Sequence, residues 1–193
     1  MLMNQASSSD KVGAAITRTV GSADKVAAGG VFTVTCIGAD GQVKWEENLK
    51  NLVVNVGLKD MNDKYFTGAS YTAAWYIGLY GAAASNNPAA GDTASSHAGW
   101  TEVTPYSNAT RPACTFAAAT TADPSVITNS TSPASFSINA TATVGGAFLI
   151  SDNTKGGTTG VLFSASDFAA PGDRSVASGD TLAVTYTFSL DAA

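Results

Sequence analysis

The chain has 193 residues, 45% of them hydrophobic, which suits one domain with a sizeable core and room for an arm. Only 13% are charged, about half the usual share of roughly 25%. The net charge of −5 arises wholly after residue 64, where three basic residues face eight acidic ones. This excludes the basic stripe that neutralises nucleic-acid phosphates. No apolar run reaches the roughly 18 residues of a membrane-spanning helix.

Residues 1–30 are rich in Ser, Ala and Gly and read as an extended N-terminal arm. No apolar signal core follows Met1, so the expectation is a chain made in a cytoplasm. The arm either orders on a neighbouring subunit or stays loose. Ala27-Ala28-Gly29-Gly30 closes it, and residues 31–193 form a single domain.

Val31–Ile37 alternates as a strand, with Phe32, Val34 and Cys36 on one face and Thr33 and Thr35 on the other. Asp40-Gly41 then marks a hairpin, with Gln42–Trp45 pairing back. Glu46–Phe66 carries Leu49, Leu52, Val53, Val56 and Met61 at helical spacings, which predicts one helix of about three turns near 48–63, packed on a sheet. Thr72–Tyr80 is a continuous apolar strand buried on both faces. Ala82–Ser96 is a long loop. Ala134–Val144 alternates through Phe136, Ile138, Ala140, Ala142 and Val144. A bend at Gly145-Gly146 leads into Gly146–Ser151, and Val161–Ser164 follows the turn at Lys155-Gly156-Gly157. Turns at Pro171-Gly172-Asp173 and Ser178-Gly179-Asp180 precede Thr181–Leu190, whose Leu182, Val184, Tyr186, Phe188 and Leu190 face a core. The fold class is all-β with one short helix: a two-sheet β-sandwich, jelly-roll-like, preceded by the arm, with an immunoglobulin-like sandwich as the rival topology.

Rare residues gather in Asp92–Pro112, which holds the one histidine, His97, with Asp92, Trp100, Glu102, Tyr106 and Arg111. One histidine with two carboxylates falls short of the two-histidine facial triad, so no metal site is read. A Ser-His-Asp hydrolase built on His97 lacks a G-x-S-x-G elbow. Asp92 and Glu102 are the carboxylates that a glycosidase reading would need, but the aromatics beside them read better as core or interface anchors. Arg111 is expected to pair with Asp92 or Glu102 and pin the long loop. Cys36 and Cys114 lack CxxC spacing and read as free, buried thiols. The six rare residues are therefore a candidate structural or contact cluster, with no catalytic residue and no cofactor.

Five segments carry a resemblance: Asn51–Gly81 (NLVVNVGLKDMNDKYFTGASYTAAWYIGLYG), Asp92–Tyr106 (DTASSHAGWTEVTPY), Phe136–Ser151 (FSINATATVGGAFLIS), Thr159–Phe168 (TGVLFSASDF) and Ser178–Leu190 (SGDTLAVTYTFSL). In that order they resemble small virion structural proteins of tailed bacteriophages, and among these the capsid decoration (cement) proteins. The resemblance implies a non-enzymatic β-sandwich on the outer head surface of a virion, made in the host cytoplasm and bridging neighbouring capsid subunits. Its implied partners are the major capsid protein of the same phage and other copies of itself, as a dimer or trimer, with neither nucleic acid nor membrane. The alternative is a tail- or fibre-associated module that binds a receptor or glycan.

Overall fold

The computed structural model describes residues 26–71, 73–82, 88–168 and 172–192. In chain order these form β1 (Val26–Ile37), β2 (Val43–Lys50), β3 (Leu52–Val53), α1 (Asn55–Phe66), β4 (Tyr76–Ala82), β5 (Trp100–Glu102) and β6 (Ser125–Thr128). Then come β7 (Ala134–Ser137), β8 (Ala142–Val144), β9 (Gly146–Ile150), β10 (Leu162–Asp167), β11 (Arg174–Val176) and β12 (Thr181–Ala192).

Two antiparallel sheets make a β-sandwich. The first runs β2-β1-β12-β6, with β7 also paired to β12; the second runs β3-β10-β9-β4-β5. A third, small sheet pairs β11 with β8. β1 lies against β12 and β3 against β10, which nests early strands with late ones in jelly-roll fashion. The β1–β2 and β9–β10 hairpins each stay within one sheet.

The two sheets differ in what they bury. In the first, alternation sends Phe32, Val34, Leu182, Val184 and Tyr186 inward, each 0% exposed, and leaves threonines outside. The second is covered on both faces. All five residues of β9 are buried, and they divide between two clusters. Ala147 and Leu149 join the inter-sheet core, while Phe148 and Ile150 pack outward with Val54, Tyr80, Trp100 and Leu162. Glycine permits this density: a Cβ on Gly78 would sit 2.1 Å from Phe148 Cζ. The strand expected at Thr72–Tyr80 starts only at Tyr76 as β4: Thr72 lies outside the described residues, Ala73–Trp75 belong to no strand, and Ile77–Tyr80 are buried.

Three further expectations need correction. The sequence ends the arm at residue 30, but Val26–Gly30 already belong to β1, paired with β12 from Val26–Ala192 onward; residues 1–25 lie outside the described residues. Gly30 is needed there, because a Cβ would come 2.7 Å from the Thr187 carbonyl and 2.9 Å from Tyr186 Oη. The helix expected near 48–63 is α1 at Asn55–Phe66, and Glu46–Lys50 extend β2 instead. Glu47 hid that strand: it occupies an inward position opposite Val34, where it is ion-paired to Arg174. The start of α1 has no side-chain cap; its first amides donate to the carbonyls of Phe163, at 3.1 Å from Val54, and of Ala90, at 2.8 Å from Asn55. Finally, Ala134–Val144 is two strands, not one. β7 pairs with β12 and β8 with β11, because Ile138 and Asn139 donate to the carbonyls of Asp180 and Pro105 and draw the chain between sheets.

Candidate functional site

The rare residues between Asp92 and Arg111 gather around β5 at the edge of the second sheet, with the Trp100 ring on its outer face and the Tyr106 ring against Phe136 in the inter-sheet core. β5 pairs with β4 through Ala82–Trp100, Gly81–Thr101 and Tyr80–Glu102. This register turns Trp100 and Glu102 to one side, and two linked clusters form around them.

The first centres on Trp100, which is 5% exposed. Its ring meets Tyr80 at 5.2 Å and Phe148 at 5.0 Å, and His97 stacks on it at 3.9 Å with an interplanar angle of 21°. The indole Nε1 donates to Asp92 Oδ2 at 3.0 Å, and the same carboxylate oxygen accepts from the Ala89 amide at 2.9 Å. His97 Nδ1 lies 2.9 Å from the Trp100 carbonyl. A carbonyl only accepts, so Nδ1 bears the proton. Asp92, His97 and Trp100 thus close the turn that carries the chain into β5.

The second cluster centres on Arg111, which is 2% exposed. Its Nε and Nη2 donate to Glu102 Oε1 and Oε2 at 2.9 and 2.7 Å, a bidentate pair. Nη1 donates to the Asp152 carbonyl at 2.9 Å and Nη2 to the Gly157 carbonyl at 2.8 Å. Glu102 Oε2 also accepts from the Gly156 amide at 2.8 Å, and Tyr106 Oη lies 3.5 Å from Oε1. Lys155 donates to the carbonyls of Tyr106 and Asn108 at 2.9 and 2.8 Å and sits 4.4 Å from the Tyr106 ring centre. Burial, ahead of the nearby Glu102 charge, pushes the Tyr106 phenol above its ordinary range. The Asp152 carboxyl is held below the usual range, chiefly by the Thr154 amide that donates to it. Of the two partners open to Arg111, Glu102 takes the contact.

Chemically this arrangement is a clasp. The Asp92 and Glu102 carboxylates are occupied by donors from the chain itself, and His97 Nδ1 is committed to a carbonyl. Trp100 and Tyr106, 5% and 1% exposed, present no free ring face to stack on a sugar. A shallow cavity of about 310 Å³ lies between the two halves, lined by His97, Trp100, Arg111, Gly157 and Leu162 among others. Among the described residues no group of three or more metal-ligating side chains gathers, and no helix is long and apolar enough to cross a membrane. Cys36 and Cys114 are free and buried.

Sequence reasoning missed Lys155, Asp152 and Gly157 as members of the clasp. Their one signal was the Lys155-Gly156-Gly157 turn, and Gly156 takes the positive φ of 72° that such a turn requires.

The outward face of the first sheet is the other notable surface. Thr33 lies opposite Thr185, Thr187 bonds Thr128 at 3.0 Å, and Thr33 and Thr35 bond Asn48 and Glu46 at 2.7 and 2.9 Å. Threonines thus line its β1 and β12 strands, while β2 adds the exposed Lys44, Glu46 and Lys50. Compared with known proteins, the chain matches no family model, no curated protein and no solved structure.

Proposed function

We propose that this chain is a non-enzymatic structural protein of a tailed-phage virion. In this reading it is a capsid decoration (cement) protein that sits on the outer head shell and bridges neighbouring copies of the major capsid protein. The observation that carries the reading is the outward face of the first sheet. The threonines of β1 and β12 can meet a protein shell through wet hydrogen bonds, with the charges of this face, Lys44, Glu46 and Lys50, gathered on β2. The five phage-like segments that prompt this reading include β3, β5, β8, β9 and β10 and most of β4 and β12. The clasp around Arg111 and Glu102 then serves rigidity: a clamp transmits load only if its loops do not yield. Many copies, each with a modest interface, suffice to reinforce a shell.

Immunogold electron microscopy of intact virions tests this. Dense label over the head, with saturable binding of purified chain to expanded heads that lack it, is the expected result. Label confined to the tail would overturn it in favour of a receptor- or glycan-binding module. That second reading would need a binding surface other than Trp100 and Tyr106, whose rings are buried.

A further inference from the structure

We propose that the segment before β1, residues 10–25, folds back over the apolar groove beside α1 of its own chain, with Ile16 and Val20 entering the groove.

The groove follows from a mismatch in strand length. β1 and β12 each have 12 residues, roughly 40 Å at the usual rise per residue. The longest strand of the second sheet, β4, has seven, roughly 23 Å. The first sheet therefore outruns the second, and the inward positions of its overhang, Val26, Phe188 and Leu190, line a cavity of about 870 Å³. Trp75, Phe163 and α1 form the opposite wall. Tyr65 and Phe66, 84% and 76% exposed, carry that wall outward.

The course of the chain points to what closes it. Val26, 72% exposed, is both a wall of the groove and the residue at which β1 begins. The preceding segment therefore starts at the open end of the groove. Since β1 runs inward from there, that segment has to reverse in order to cover the groove. Gly21, Ser22 and Asp24 are residue types that reverse a chain. Val20 and Ile16 precede Val26 by six and ten positions, a reach of roughly 20 and 33 Å. The floor of the groove from Leu190 to Tyr186 asks for only roughly 14 Å.

Charge points the same way. Residues 1–25 carry three basic side chains and two acidic ones, whereas the rest of the chain carries seven and thirteen. The exposed carboxylates of Asp123 and Asp191 stand at the strand end beside Val26: Ala192, paired with Val26, donates its amide to Asp123 Oδ1 at 3.1 Å. Among the described residues neither carboxylate has a cation within ion-pair distance. Lys11, Arg18 and Lys25 of the preceding segment are of the sign that answers them. Connection then favours this occupant over any other. A segment joined to its site by a few residues is held there at an effective concentration on the order of millimolar, which an unlinked occupant has to exceed. The inference stands apart from the virion reading, because it concerns one chain by itself.

The test uses the full chain and compares Val20→Cys/Tyr65→Cys with Val20→Cys/Val43→Cys under mild oxidation. Val43, 60% exposed, lies opposite Ile37 at the other end of β1 from Val26, and the native Cys36 and Cys114 are buried. The expected result is a disulfide within single chains of 19.5 kDa, formed roughly 10-fold faster in the Tyr65 pair than in the Val43 pair. A second measurement adds an anilinonaphthalene sulfonate dye, which binds exposed apolar surface. Ile16→Ser/Val20→Ser in the full chain should raise its fluorescence several-fold and leave the far-ultraviolet circular dichroism unchanged. Equal oxidation rates in the two pairs overturn the proposal. So does a covalent dimer as the main product of the Tyr65 pair, which would give the groove to the segment of a second chain. Dye fluorescence that the serine changes leave unaltered overturns it as well.

Discussion

Replacing Arg111 by Met probes the clasp at its centre. Arg111 is 2% exposed and its partner Glu102 8%, so neither has water to turn to when the other is removed. Met keeps the length and the apolar packing but withdraws every donor. Glu102 then keeps its charge with only the Gly156 amide and the Tyr106 hydroxyl for company, and the carbonyls of Asp152 and Gly157 lose their partner. Breaking a buried pair in this way costs about 3–5 kcal/mol. For a domain of this size that corresponds to a fall of about 10 °C in the thermal midpoint. Adding Glu102→Leu removes the stranded charge, so the double variant should cost less than Arg111→Met alone, about 1–3 kcal/mol for the unmet backbone groups. Urea titration of the wild type, both single variants and the double variant yields the coupling. The reasoning is refuted if Arg111→Met lies within about 1 kcal/mol of wild type, or if the double variant costs the sum of the singles.

Three further outcomes follow from other parts of the molecule. Gly57→Ala should destabilise by about 1–3 kcal/mol, although Ala ordinarily gains about 1 kcal/mol over Gly within a helix. The new Cβ would lie 2.4 Å from the Phe163 carbonyl oxygen, so α1 would have to lift from β10; a raised thermal midpoint would contradict this. Burial pushes the Cys36 thiol up to about 11 and the Cys114 thiol up to about 12. A thiol reagent at pH 8 should therefore label neither in the native chain and both after unfolding, and rapid native labelling of either would count against the packing described. For Asp180, burial would raise the carboxyl, but the Lys44 ammonium, the Ala177 amide and the Cys36 thiol together hold it below the usual range. A depressed folded-state value stabilises above the unfolded value of about 3.9, and that contribution fades as pH falls through the folded value. The stability gap between wild type and Asp180→Asn should therefore be full near neutrality and close in acid; a gap unchanged at low pH would show that the charge is not what matters.

Legibility in the sequence tracked how local the determining physics was. Thr181–Leu190 could be read because each inward side chain announces itself at every second position, and the Asp40-Gly41 hairpin because Gly41 alone takes the positive φ, 78°, that its turn needs. The start of α1 could not be read, since its amides are satisfied by the carbonyls of Phe163 and Ala90, groups without a sequence signature. The second half of β2, Glu46–Lys50, reads as helix because Glu47 is inward yet neutralised by Arg174, more than a hundred positions away. At the clasp, rarity of residue type was a fair guide: Asp92, His97 and Trp100 meet, and so do Glu102, Tyr106 and Arg111. Their division into two halves was not legible, because the carbonyls of Asp152 and Gly157 that complete the Arg111 half belong to a loop of ordinary composition.

The pairing of β1 with β12 sets a timetable for synthesis. Cys36 and Asp180, joined at the end of that ladder, lie 144 positions apart. At the usual 5–20 residues per second, a ribosome takes roughly 10–30 s to travel that far. Until then the β1–β2 hairpin has no inner neighbour, and Phe32, Val34 and Leu49 face water or whatever else is near. Of the described strands, the one that completes this sandwich's longest seam is thus the last to be made. Through that interval a nascent chain of this protein must be kept from its siblings.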